Sequence, residues 1–134
     1  MSDIKTVAFS VEALQAVQQL EKRFSFNHQL DLGRLGFAYA VQHRLDLDRG
    51  SGFGTPGRTG YNEGSIDPDR LMRSAVKIFY PDSQILGEPL RAVETLMSKG
   101  LILLLRHLEE GVIGSLSDIV PGYEESDESL KSLE

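Results

Sequence analysis

The feature that most constrains this chain is an unbroken helical pattern toward its C-terminal end. Starting at Glu88 and Pro89, apolar residues recur at Leu90, Val93, Leu96, Met97, Leu101, Leu104, Leu105 and Leu108, and the pattern stops at Gly111. Steps of three and four mark one face of an α-helix, and the proline suits the first helical position, where its missing N–H leaves no bond unmade. Gly100 lies inside the pattern. A mid-helix glycine costs about 1 kcal/mol relative to alanine, so this position predicts either close helix packing or a kink. The segment Ile102 to Leu105 is apolar all round, which predicts burial on several sides. In a chain of 134 residues, long enough for one core and too short for two, such burial points to a subunit interface and hence a homo-oligomer.

Shorter patterns precede it. Ile4 to Phe9 sets Val7 and Phe9 against Lys5, Thr6 and Ala8, the alternation of a short strand or extended arm. Ser10 is a good N-cap for a first helix with Glu12 in its first turn, Lys22 and Arg23 in its last, and an apolar stripe of Val11, Leu14, Val17 and Leu20. After a connection from Phe24 to Leu30, Asp31 is placed to cap a second helix reaching about Leu47, with Leu35, Ala38, Val41 or Gln42, and Leu45 on its inner face. The pattern then breaks. Asp48 to Ser65 holds six glycines and Pro56, with few apolar residues beyond Phe53 and Tyr61, and reads as a long, mobile surface loop. A third helix is expected from Pro68, after the cap Asp67, through Leu71, Ala75, Ile78 and Phe79 to the break at Pro81. A last short turn, Ser115 to Val120, is expected to pack back on the body. The expected fold is therefore mainly α: a compact bundle of about four helices with a short N-terminal strand or arm and a long glycine-rich loop. Residues 1–120 form one helical domain in this reading and residues 121–134 an acidic disordered tail.

Several function classes are disfavoured by composition. Hydrophobic residues make up 40% and charged residues 25% of the chain, as in ordinary globular domains. With no cysteine, disulfides, thiolate metal sites and cysteine nucleophiles are unavailable. The N-terminus lacks the basic start and apolar run of a secretory signal. The longest apolar stretch, Leu101 to Leu105, falls far short of the roughly 20 residues that span a bilayer, so a cytoplasmic protein without membrane contact is expected. The formal charge of −6 disfavours a phosphate-rich partner, but the acid is unevenly placed. Glu124, Glu125, Asp127, Glu128 and Glu134 face the single Lys131, and the first 120 residues carry 13 basic and 15 acidic groups.

None of the catalytic motifs comes with its required context. Gly52-Phe-Gly54-Thr-Pro-Gly57 has the spacing of a dinucleotide fingerprint, but a helix precedes it and more loop follows, where a strand and a helix are needed. His43-Arg-Leu-Asp46 and His107-Leu-Glu-Glu110 each place an imidazole three residues from a carboxylate on a helix, a spacing that can ligate a metal, yet bridging glutamates have no candidates. No nucleophile elbow surrounds Ser98 or Ser115. We therefore expect no enzyme, no cofactor and no metal site. The cations are more informative: Lys22, Arg23, Arg34, Arg44, Arg49 and Arg58 fall in the first two helices and the glycine loop, interleaved with Phe53 as a stacking group. Of these, Lys22, Arg23, Arg34, Arg49 and Arg58 are the candidates for contact with a phosphate backbone.

The order strand, helix, helix is similar to that of ribbon-helix-helix regulators, where the strand would present Lys5 and Thr6 to the major groove. Over residues 4–120 the chain more closely resembles the DNA sulfur-modification (phosphorothioation) proteins of the DndE type. The likeness lies in Leu20-Glu-Lys-Arg23 before a turn, Arg34-Leu-Gly-Phe-Ala38 opening a helix, and the late-helix run Met97-Ser-Lys-Gly-Leu-Ile-Leu-Leu104. The chain departs from that pattern in lacking the cysteine before the matching arginine, in its acidic tail and in the loop 48–65. The resemblance implies a non-enzymatic, oligomeric accessory of a bacterial DNA-modification or defence system, in contact with DNA weakly or conditionally and with other modification proteins. The alternatives are a protein-interaction adaptor that never touches DNA, docking its partner through the loop or tail, and the ribbon-helix-helix regulator.

Overall fold

The computed structural model describes residues 3–24, 28–58, 60–81 and 87–114. The expected turn Ser115–Val120 and the tail 121–134 lie outside them. The fold is mainly helical with one small antiparallel sheet: β1 (Thr6–Ala8), α1 (Val11–Arg23), α2 (Gln29–Gln42), β2 (Gly60–Asn62), α3 (Glu63–Ile66), α4 (Leu71–Phe79) and α5 (Pro89–Glu109).

Every other element but β2 and α3 packs on α5. Its residues from Thr95 to Leu101 are buried without a break, so the helix is covered on all sides over nearly two turns. This corrects the expected location. All-round burial falls one turn before Ile102–Leu105, and the chain's own elements supply it; Leu104 is buried, while Ile102, Leu103 and Leu105 are half-buried. Gly100 marks close packing: a Cβ there would overlap the carbonyl oxygen of Gly36 on α2, and a Cβ at Gly36 would sit 2.5 Å from Leu101 Cγ and 2.8 Å from the Met97 carbonyl oxygen. The two glycines let α2 and α5 meet backbone to backbone.

Two helical stripes differ from their expected positions. On α1 the buried residues are Ala13, Ala16, Val17 and Leu20, whereas Val11 is exposed and Leu14 half-buried. A run at steps of three slips back by about 60° per step around a 3.6-residue helix, so Val11, Leu14, Val17 and Leu20 cannot share one face. On α2 the buried residues are Leu30, Leu32, Gly33, Gly36, Phe37, Tyr39 and Ala40, and Ala38 points to solvent. Its cap is His28, whose Nδ1 accepts from the Leu30 N–H at 3.1 Å, in place of Asp31, and it ends at Gln42, not Leu47.

The stretch read as a mobile loop contains β2 and most of α3, and its described residues are tied down at several points. β2 pairs with β1 in the register Thr6 to Asn62, Val7 to Tyr61 and Ala8 to Gly60. Phe53 is 2% exposed. The Val11 N–H donates to the Thr55 carbonyl at 2.8 Å, and Glu12 accepts from the Thr55 N–H at 2.6 Å and hydroxyl at 3.0 Å. The other edge of β1 is covered too: Ala8 N–H donates to Glu94 Oε2 and the following Ser10 N–H to Ser98 Oγ, both on α5.

The Glu12 anchor has a pH dependence. The Thr55 N–H bond, first among its causes, holds the Glu12 carboxyl below the usual carboxylate range, so the ionised form makes the contact. With a lowered folded-state value, the contribution is fully present above the unfolded carboxylate value of about 4.3 and fades as pH falls through the folded one. The expected result is loss of Thr55 amide protection in that acidic window, followed by hydrogen exchange, and its absence in Glu12→Gln, where protection is weak at every pH.

At α4 the cap Asp67 is the expected residue, acting from further away. Pro68 to Arg70 form a turn and the helix starts at Leu71, with Asp67 Oδ1 accepting from the Met72 N–H at 3.0 Å and Oδ2 from the Arg73 N–H at 3.1 Å. The helix thus begins three residues later than the expected Pro68. Met72 and Val76 face the core, while of the apolar residues that marked the helix Ala75 is half-buried and Leu71, Ile78 and Phe79 are 66%, 70% and 63% exposed.

Candidate nucleic-acid interface

Three of the five candidate cations lie at the surface and two are bonded inside the fold. Arg49 is the pin between the glycine segment and α5. Its Nε donates to Thr95 Oγ1 at 2.9 Å, its Nη2 to Glu94 Oε1 at 2.6 Å and to the Arg91 carbonyl at 3.3 Å, and its guanidinium lies over the Phe53 ring at 4.4 Å. Glu94 thereby links β1 and Arg49 through its two oxygens. Arg34 does the same for the next segment, donating from Nε to the Ile66 carbonyl at 3.2 Å and from Nη2 to the Ser65 carbonyl at 2.8 Å, with Nη1 on Asp31. Phe53 is buried beneath Arg49 and presents no face to a base. These side chains explain why a glycine-rich stretch with few apolar residues is ordered: multidentate arginines replace the core contacts it lacks.

Lys22 and Arg23 are exposed in the last turn of α1, and Arg58 is exposed on the glycine segment. Arg58 stands at the rim of a cleft of about 680 Å³, whose walls include Phe9, Leu14, Gln18, Gln29 and Tyr61. Gln18, in the wall of the cleft, precedes Lys22 by about one helical turn of α1. Arg23 also lies 5.6 Å from the Phe24 ring centre.

A second cationic place lies where α2 and α5 end. Arg44, Lys99 and Arg106 line a groove of about 370 Å³ floored by Ile102 and Leu103. Lys99 is 6% exposed and fully engaged, donating to Asp46 Oδ1 at 2.6 Å and to the Asp46 and Asp48 carbonyls at 3.0 and 2.9 Å. The Lys99 hydrogen bond, ahead of smaller causes, holds the Asp46 carboxyl below the usual range. Arg106 approaches Glu110 only at 4.0 Å, with both side chains more than half exposed. It was missed because it closes an apolar helix, where sequence reading assigns a cation to the helix dipole.

The two histidines of the helical His/carboxylate pairs are brought together without their carboxylates. Tyr39 OH and His107 Nδ1 share a short hydrogen bond, and the His43 ring centre lies 4.3 Å from that of Tyr39 and 5.4 Å from that of His107. Asp46 is held by Lys99 and Glu110 faces Arg106. Among the described residues, no three histidine, aspartate or glutamate side chains are grouped to hold a metal ion. No described helix is long and apolar enough to cross a membrane. Comparison with family models, curated proteins and solved structures found no match to this chain.

Proposed function

We propose that the protein is a non-enzymatic, oligomeric accessory of a bacterial DNA-modification or defence system of the DndE type, assembling through α4 and touching DNA weakly through Lys22, Arg23 and Arg58. The observation that carries the reading is the outer face of α4, where Leu71, Ile78 and Phe79 are each about two-thirds exposed on a helix whose opposite face is already in the core. A helix apolar on both sides is the mark of burial on both sides, and clustered exposed apolar side chains mark interaction surfaces. Arg34 and Arg49 take an indirect part, holding in place the segment that carries Arg58. A ribbon-helix-helix arrangement is not favoured: with β2 on one edge of β1 and Glu94 and Ser98 on the other, β1 has no edge for a partner's strand.

The test pairs two surface variants. Ile78→Glu should shift sedimentation toward the monomer while leaving the unfolding midpoint nearly unchanged, because the side chain is 70% exposed. Arg58→Glu should leave the mass unchanged and weaken duplex binding, lowering the slope of log affinity against log salt by about 1 per lost phosphate contact. Oligomers with no duplex binding at low salt would replace this reading with the protein-interaction adaptor.

A further inference from the structure

We propose that the groove between the C-terminal ends of α2 and α5 is a phosphate-binding site gripped by Arg44 and Arg106, a role that rests on the DNA reading only for the source of the phosphate. The argument starts from the backbone. α2 ends in a Schellman closure, with the Leu45 N–H on the Ala40 carbonyl and the Arg44 N–H on the Val41 carbonyl, both at 3.0 Å. The residue at the turning point of this motif adopts left-handed backbone and is most often glycine, the one residue without a Cβ penalty there. Here it is Arg44, at φ 53°. A strained side chain in place of a glycine persists where that side chain is needed.

Among the described residues the Arg44 side chain is exposed and makes no hydrogen bond or ion pair, and a cation at a helix end could stand one residue away without strain. What it does is line the same groove as Arg106, whose own contact with Glu110 is long and solvated and therefore weak. Lys99 and Asp46 beside them offset each other, which leaves the Arg44 guanidinium, and Arg106 with its long, solvated Glu110 contact, as the cations of the groove open to a ligand. Ser51 adds a hydroxyl with no partner among the described residues. Two guanidinium forks and a hydroxyl lining one groove offer the donor types that the oxygens of a phosphate accept.

The test separates strain from function, which a merely structural arginine would not allow. Thermal unfolding of the full chain is compared in inorganic phosphate, up to about 50 mM, and in chloride of matched ionic strength. Arg44→Gly should melt roughly 2–5 °C higher than wild type in chloride, since the left-handed strain is relieved, and should lose the extra rise that wild type shows in phosphate. Arg106→Ala should lose that rise without the gain in chloride. Arg70→Gly, which relieves the other left-handed arginine, at φ 63°, should melt higher and keep the phosphate response. An equal phosphate response in wild type, Arg44→Gly and Arg106→Ala overturns the site. A parallel salt titration on a duplex identifies the source: a slope reduced by about 1 in Arg44→Gly assigns the groove to a backbone phosphate, and an unchanged slope with the phosphate response lost assigns it to a small phosphate ligand. A phosphate response in a wild-type protein that binds no duplex keeps the groove and removes the DNA reading.

Discussion

Gly100→Ala is expected to cost on the order of 4 kcal/mol, a large share of the stability of a domain whose total is about 5–15 kcal/mol. Helix propensity alone says the opposite, since alanine in mid-helix is favoured over glycine by about 1 kcal/mol. The clash decides the sign. The new methyl group would overlap the Gly36 carbonyl, and relief requires separating α2 from α5 along the most extensive interface in the molecule. Interiors at crystal-like density have no slack for such a shift, and every side chain between the helices would lose contact. Gly36→Ala should be nearly as severe, because its methyl would press on Leu101 and the Met97 carbonyl. Gly64→Ala, in the short helix α3, is the control: its methyl meets only Asn62 Oδ1 at 3.5 Å, and a change within about 1 kcal/mol is expected. Urea denaturation of the three variants gives the comparison. Near-wild-type stability in Gly100→Ala would contradict the close crossing.

Asp67→Ala is expected to cost about 3–5 kcal/mol by a different route. Asp67 is 1% exposed and Arg73 6%, and one carboxylate meets three donors, the N–H groups of Met72 and Arg73 and the Arg73 Nε at 2.9 Å. Removing it uncaps α4 and leaves a buried guanidinium with Glu63 at 3.0 Å and the Asp67 carbonyl as its remaining partners. A large part of the cost is therefore the stranded charge rather than the attraction lost. The double variant Asp67→Ala with Arg73→Met removes both charges and should be more stable than Asp67→Ala alone. If the double variant were less stable than the single one, the stranded-charge account would be wrong.

These two sites show what local sequence could and could not reveal. Elements announced by chemistry at their ends were legible: Ser10 caps α1 with a bond from the Ala13 N–H and Pro89 opens α5, while Asp67 serves the first turn of α4 from beyond its cap position, Arg70. Faces were less legible because the pattern counted large apolar residues, and here the tightest contact uses Gly33, Gly36, Ala40 and Gly100. A glycine in a helix is read as a weakness until its neighbour is known; Gly100 pointed to close packing, but nothing in the sequence named Gly36 as its partner. The third helix starts at Leu71 rather than Pro68 because Asp67 reaches past a three-residue turn, which no spacing rule anticipates. The segment 48–65 appeared structureless for a related reason. Its order comes from Arg34, Arg49 and Glu12, long-range polar contacts with no periodic signature, and the same two arginines were assigned to DNA because an arginine on a helix or in a glycine-rich stretch shows no partner in sequence. The left-handed Arg44 has no sequence signal at all, since only the backbone shows that it stands where glycine is favoured.

Sedimentation of the full chain with and without a short duplex, at low salt, tests the proposed role most directly. The expected result is a concentration-dependent oligomer that Ile78→Glu disperses, and co-sedimentation with the duplex that salt abolishes. A monomer at every concentration, sedimenting apart from the duplex at low salt, would contradict both halves of the proposal.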